Sequence, residues 1–311
     1  MLIRLGYVAI SKTLDNITSS STITLTNFKK NTDYHKISEV IISNLEALIK
    51  LLEYNSKNNI HFYRITSNLI PLATLKDISF DYLDKYKSYY QRIRKIINNN
   101  NMRVDMHPSQ YCILNSTKKE VIDASIDILN YHYNLLEAMN IKNKIIILHV
   151  GSSTFGKENS LSRFISNFKK LPNHLQECIA IENDDKVFTV EDCLKLSSIL
   201  NIPIVLDYHH FLCNNTGEKI EKYLLGIFAT WKNNKPKIHF SSPKSKKEFR
   251  SHHDYIDVDK FIEFLSVLKK YNQDIDIMLE AKAKDEALFK LIRELKYKTN
   301  YKFIDETSFE V

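Results

Sequence analysis

The chain has 311 residues, 44 Lys plus Arg against 37 Asp plus Glu, and 43% hydrophobic residues. That composition belongs to a water-soluble globular chain, and no stretch approaches the roughly 18 uninterrupted apolar residues of a membrane span, so a membrane protein is excluded. A formal net charge of +7 suits a polyanionic partner and a merely soluble Lys/Asn-rich protein equally well, and decides nothing by itself. The start, Met1 to Tyr7, lacks the charged region and long apolar run of a signal peptide, so a cytoplasmic protein is expected. Cys112, Cys178, Cys193 and Cys213 are widely spaced with no CxxC pair, which argues for reduced, structural thiols and against a thiolate zinc site.

Eight short apolar, β-branched runs alternate with longer stretches that carry apolar residues at spacings of three and four. Leu2 to Val8 is followed by a Ser/Thr-rich stretch, residues 9–36, and by a helical pattern over 38–57. His61 to Ser67 precedes a helical pattern over 80–98, Met102 to His107 one over 119–140, and Ile145 to Val150 one over 158–171. Cys178 to Asn183 precedes 189–200, Ile202 to His210 precedes 218–231, Pro236 to Ser242 precedes 257–271, and Asp276 to Lys282 precedes 285–298. Strands separated by helices pair in parallel through right-handed crossovers, and eight such units have one common closed solution. The predicted fold is an α/β (β/α)8 TIM barrel, a single domain over residues 1–311. A doubly wound open sheet is the rival, and it rarely uses eight equal units. No Gly/Ser linker or low-complexity block divides the chain. Residues 9–36 are expected to lie over the barrel mouth, where barrel enzymes place recognition elements.

The predicted strands three to eight each deliver His, Asp or Glu at their carboxyl ends: His107, His149, Glu182, Asp207 with His210, His239, and Glu280. In a barrel those ends converge on one face. Adjacent carboxylates there would repel one another and histidines would lose solvation, unless divalent cations neutralise the cluster. Any one of these histidines alone reads as an ordinary core or surface residue; six strands doing so in register point to a metal cluster. A His and carboxylate donor set without Cys favours Zn2+, Mn2+ or Fe. Bridging carboxylates between neighbouring ions would suit phosphodiester hydrolysis. Strand alternation puts His209 on the same face as Asp207, yet strand ends bend, so spacing does not choose between His209 and His210. His252 and His253 pose the same choice.

Taken together, several motifs resemble the UV damage endonuclease family over almost the whole chain. They are Arg4-Leu5-Gly6-Tyr7, Tyr63 to Ser67, His107-Pro108-Ser109-Gln110-Tyr111, Tyr131-His132-Tyr133 with Leu136 to Met139, Ile181 to Asp185, Asp207 to His210, Pro236 to His239 with Ser241 to Lys244, Arg250-Ser251-His252, and Glu280-Ala281-Lys282. The resemblance implies a TIM barrel with three divalent ions, Mn2+ foremost and Zn2+ as an alternative. The expected activity nicks double-stranded DNA on the 5′ side of cyclobutane dimers and (6-4) photoproducts, with abasic sites as a further candidate. It implies metal ligands His107, His149, Glu182, Asp207, His210, His239, His252 and Glu280, and so selects His210 and His252. One grouping sets His107, His149 and Glu182 on one ion, Glu182, Asp207, His239 and Glu280 on a second, and His210 with His252 on a third. Glu182, Glu280, Lys237 and His239 are the catalytic candidates. Lys237 has two readings: a carboxylated lysine presenting a carbamate to the metals, or a lysine that binds phosphate or forms a salt bridge.

Lesion recognition is implied for Tyr7, Gln110 and Tyr111, an amide and aromatics suited to holding extruded bases, although packing alone would account for both tyrosines. Lys244, Lys247 and Arg250, beside His252, are expected to contact phosphates. Two positions depart from the family: Leu75, where relatives commonly have His, offers no ligand atom, and Ser11 stands where Asn is frequent. A lesion-binding protein that has lost catalysis and a metal-dependent barrel sugar isomerase are the alternatives. No membrane and no obligate protein partner are expected.

Overall fold

A computed structural model of the chain describes residues 1–30, 34–75, 78 and 80–311. Eight parallel strands close into a barrel: β1 (Leu2–Val8), β2 (Phe62–Ile65), β3 (Arg103–Met106), β4 (Ile146–His149), β5 (Ile179–Glu182), β6 (Ile204–Asp207), β7 (Lys237–Phe240) and β8 (Ile275–Leu279). Each pairs with the next, and β8 pairs with β1, which gives the expected (β/α)8 topology. The outer layer is built from the predicted amphipathic segments. In the helix Tyr34–Lys57, Ile37, Ile41, Leu45, Leu48 and Leu52 recur at spacings of three and four and are buried, which is why that face packs on the barrel. The helix Val190–Leu200 starts at a capping box formed by Thr189 and Asp192. The four cysteines are unpaired. Among the described residues no helix is long and apolar enough to cross a membrane.

The barrel interior is divided by chemistry. Ile147, Ala180 and Val205, on β4 to β6, pack with Trp231 as a small apolar cluster. Beside it stand ion pairs packed on the Phe62 ring: Asp276 accepts from two nitrogens of Arg4 at 2.7 Å and from Arg103 at 2.9 Å, and Lys237 is paired with Asp105. Charges survive burial here because each has an opposite partner. Gly6 is required where β1 meets β2, since a Cβ there would lie 2.2 Å from the Phe62 carbonyl oxygen.

Three features depart from the sequence pattern. Strand six ends at Asp207 instead of His210, because the chain turns at once into the helix Tyr208–Cys213, whose first turn is capped by the Asp207 carboxylate accepting the His210 N–H at 2.7 Å. A hairpin of β9 (Lys302–Phe303) and β10 (Ser308–Glu310) follows the last helix, and β10 runs antiparallel to the first half of β1. Its two- and three-residue strands are too short to show a period. In the stretch 9–36, the chain is tied to the end of β2 through Ala9 N–H to Arg64 O at 3.0 Å and Ser20 Oγ to Thr66 Oγ1 at 2.8 Å, and a short helix covers Leu25–Lys30. Residues 31–33 of that stretch lie outside the described residues.

Candidate metal centre

Strand ends bring the predicted ligands together around one side chain. Glu182, at the end of β5 and 1% exposed, has Oε2 at 2.8 Å from His107 Nε2 and 3.5 Å from His149 Nε2. Its Oε1 lies 2.5 Å from His239 Nδ1 and 4.0 Å from His210 Nδ1. His239 Nδ1 is also 3.3 Å from Glu280 Oε1, and His210 Nδ1 is 3.7 Å from Asp207 Oδ2. Among the described residues, three groups could each hold an ion: His107 with His149 and Glu182, Glu182 with His239 and Glu280, and Glu182 with Asp207 and His210. Glu182 belongs to all three. This differs from the sequence grouping in giving Asp207 to His210 and in leaving out His252, whose ring centre stands 6.3 Å from that of His210.

The helical turn after β6 decides between the adjacent histidines. It turns His210 toward Asp207 and Glu182, with Nδ1 at 3.0 Å from the Asn183 carbonyl, and sends His209 into a buried place near Phe249 and His252. Strand alternation misleads there because a helix replaces the strand.

The electrostatics leave Asp207 short of a cation while the other two carboxylates are already held ionised. Burial opposes the ionisation of Glu182, yet His239 and His149 foremost hold it well below the usual carboxylate range. Burial raises Asp207 to about 7, with Glu182 and Glu280 adding to the rise against His210. His210 goes the other way, up to about 9, because Asp207 and Glu182 outweigh its burial. Burial lowers His239 to about 4 and lowers His149. Asp207 Oδ2 and His149 Nδ1 are buried without a hydrogen-bond partner. A carboxylate oxygen so placed is costly unless something cationic meets it, so the donor set fits a divalent ion.

One participant was not singled out for a role in the sequence. Arg64, on β2 and buried, donates to Glu280 Oε1 at 2.6 Å, lies 2.5 Å from His239 Nε2, and is 3.4 Å from Asp105. The available signal was an arginine inside an apolar strand run. Lys237 sits below the cluster, fully buried and paired with Asp105, the salt-bridging reading of that residue. Burial depresses its ammonium to about 7 even though Asp105 opposes the loss. A carbamate in that place would have to give up this partner and face its like charge.

The recognition candidates divide. Gln110 and Tyr111 are exposed in the loop after His107, Tyr111 at 76%. Tyr7 is not at the mouth: it shares its strand face with the buried Ile3 and Leu5, is itself fully buried, and donates its hydroxyl to Asn55 Oδ1 at 2.8 Å. Packing, the simpler account of Tyr7, is what the structure displays. Lys244, Lys247 and Arg250 are exposed, Lys244 paired with Glu248 at 2.7 Å and Arg250 3.7 Å from Asp185. Ser11 is buried and donates to Asp285 Oδ2 at 2.6 Å, so it organises its own loop. Leu75 is partly exposed after β2.

A family model described as UV-endonuclease UvdE matches residues 3–309. The chain belongs to that family. It is 41% identical over 301 residues to a protein of Bacillus cereus (strain B4264) named UV DNA damage endonuclease, with 95% of each chain covered. Among solved structures it is similar to SacUVDE, with a TM-score of 0.88 and 38% identity over 95% of this chain and 98% of that one. Endonuclease IV from Thermus thermophilus shares the fold, with a TM-score of 0.58 at 11% identity over 95% of this chain and 100% of that one.

Proposed function

We propose that this chain is a metal-dependent DNA repair endonuclease that nicks double-stranded DNA on the 5′ side of UV photoproducts, cyclobutane dimers and (6-4) photoproducts, with residues 1–311 acting as one unit. The observation that carries the reading is the sharing of one buried carboxylate, Glu182, by three ligand groups at the mouth of a barrel of this family. The groups support up to three divalent ions, Mn2+ first and Zn2+ second, held by His107, His149, Glu182, Asp207, His210, His239 and Glu280. Bound divalent ions there would polarise the scissile phosphate and activate water. His252, whose ring centre lies 6.3 Å from that of His210, is assigned to the third group as a further ligand.

The chain's own residues supply the rest. Arg64 fixes Glu280 by direct contact and keeps it ionised against its burial; its contact with His239 Nε2 gives way when that ring turns a lone pair to an ion. Exposed Gln110 and Tyr111 offer an amide and a π-face to bases unstacked by a photodimer, which cost less to extrude than intact ones. Lys244, Lys247 and Arg250 flank the mouth with positive charge for backbone phosphates.

UV-irradiated supercoiled plasmid incubated with the protein and Mn2+ tests the reading. Nicking of irradiated but not intact plasmid is expected. Retarded, intact plasmid would instead mean a lesion-binding protein, and no interaction with either plasmid would reject DNA as the substrate.

A further inference from the structure

Phe155 is as exposed as Tyr111, at 75%, and has φ +62°, a left-handed backbone that a bulky side chain rarely adopts and that Gly or Asn would take more easily. Single exposed apolar side chains are ordinary, Leu225 at 70% and Tyr297 at 90% among them, so exposure alone does not say what the ring is for.

Its position says what. Tyr111 lies four residues after His107 on the loop that leaves β3, and Phe155 six residues after His149 on the loop that leaves β4; the two histidine rings are 5.2 Å apart. These loops are clamped to each other. Asn115 donates to Ser152 O at 2.7 Å and accepts from Ser152 N–H at 3.0 Å, while Arg163 donates to Asn115 O at 2.8 Å and to Thr154 O at 2.5 Å. Gly151 allows the close approach, since a Cβ would meet Asn115 Oδ1 at 2.6 Å. Two aromatic rings are therefore carried on hydrogen-bonded neighbouring loops that leave the strands bearing His107 and His149.

We infer that Phe155 is a second base-stacking element, working beside Tyr111 on a base displaced at the damaged step. A phenyl ring has no hydrogen-bonding group, so it reads unstacking and not sequence. The inference rests on the nuclease reading above and adds a contact to it.

Binding of a fluorescent duplex with one cyclobutane dimer, and of its undamaged twin, is measured by anisotropy in EDTA for wild type, Phe155→Ala and Phe155→Trp, with thermal melting of each protein. Phe155→Ala should weaken binding of the damaged duplex by roughly five- to a hundredfold, leave the intact duplex almost unaffected and leave melting unchanged. Phe155→Trp should retain binding. Unchanged affinity of Phe155→Ala for the damaged duplex, or an equal loss on both duplexes, overturns the inference while wild-type preference for damage keeps the nuclease reading standing. A wild type with no preference for the damaged duplex removes both.

Discussion

Replacing Glu182 by Gln is the most informative single change, because one side chain serves every ligand group. Its carboxylate makes close contacts with His239 at 2.5 Å and His107 at 2.8 Å. Charge-assisted contacts of this kind contribute about 1.5–3 kcal/mol each. Glutamine keeps one as a neutral bond and turns an N–H2 toward the other ring. Since the histidines hold Glu182 well below its ordinary range despite burial, its charge is net stabilised at neutral pH, and removing it loses stability. The expected loss is about 2–4 kcal/mol. With an unfolding entropy of about 0.65 kcal/mol/K for a chain of this length, melting of the ion-free protein should fall by about 3–6 °C. Nicking should fall far more, on the order of a thousandfold, because several kcal/mol of charge stabilisation at the scissile phosphate depend on ions this carboxylate holds. Differential scanning calorimetry and single-turnover nicking of a photodimer duplex read the two effects. Undiminished nicking by Glu182→Gln, at any melting temperature, would refute the reasoning.

Other consequences follow from the same structure. Asp276→Asn leaves Arg4 and Arg103 without their buried carboxylate and should destabilise by about 3–5 kcal/mol; urea unfolding measures it, and a change under about 1 kcal/mol would mean the pair is solvated. His210 stands at about 9 without an ion, because Asp207 and Glu182 outweigh its burial, and a ligand nitrogen must be neutral. Mn2+ affinity at that group should therefore rise about tenfold per pH unit between about pH 7 and pH 9, and more steeply below pH 7, where Asp207 must lose its proton too; calorimetry at about pH 8 in two buffers of different ionisation enthalpy should show about one proton released, and binding without proton release would contradict it. Lys247→Ala should weaken binding of damaged and intact duplexes alike and reduce the salt-dependence slope by about one; an unchanged slope would place Lys247 off the DNA.

The barrel and most of the site were legible because both follow from spacing. Apolar runs alternating with amphipathic stretches define the (β/α)8 order, and closure then forces His107, His149, Glu182, Asp207, His239 and Glu280 to one rim. Legibility ended where a local turn overrode a period. His210 instead of His209 depends on a helix starting at Tyr208, and the β9–β10 hairpin is too short for alternation to register. Tyr7 shows the opposite case: strand parity puts it with Ile3 and Leu5, on the face that packs away from the mouth. Arg64 and Asp105 needed the three-dimensional pairing, because a charged residue in an apolar run announces a partner without naming it. Phe155 left no sequence signal, since exposure of an aromatic is set by the loop around it.

The shared-carboxylate centre is tested most directly by anomalous scattering from crystals of the protein grown with Mn2+. Ions within coordination distance of Glu182, one toward His107 and His149, one toward His239 and Glu280 and one toward Asp207 and His210, are the predicted result. Glu182 without any ion beside it, in crystals that hold Mn2+ elsewhere, would contradict the account.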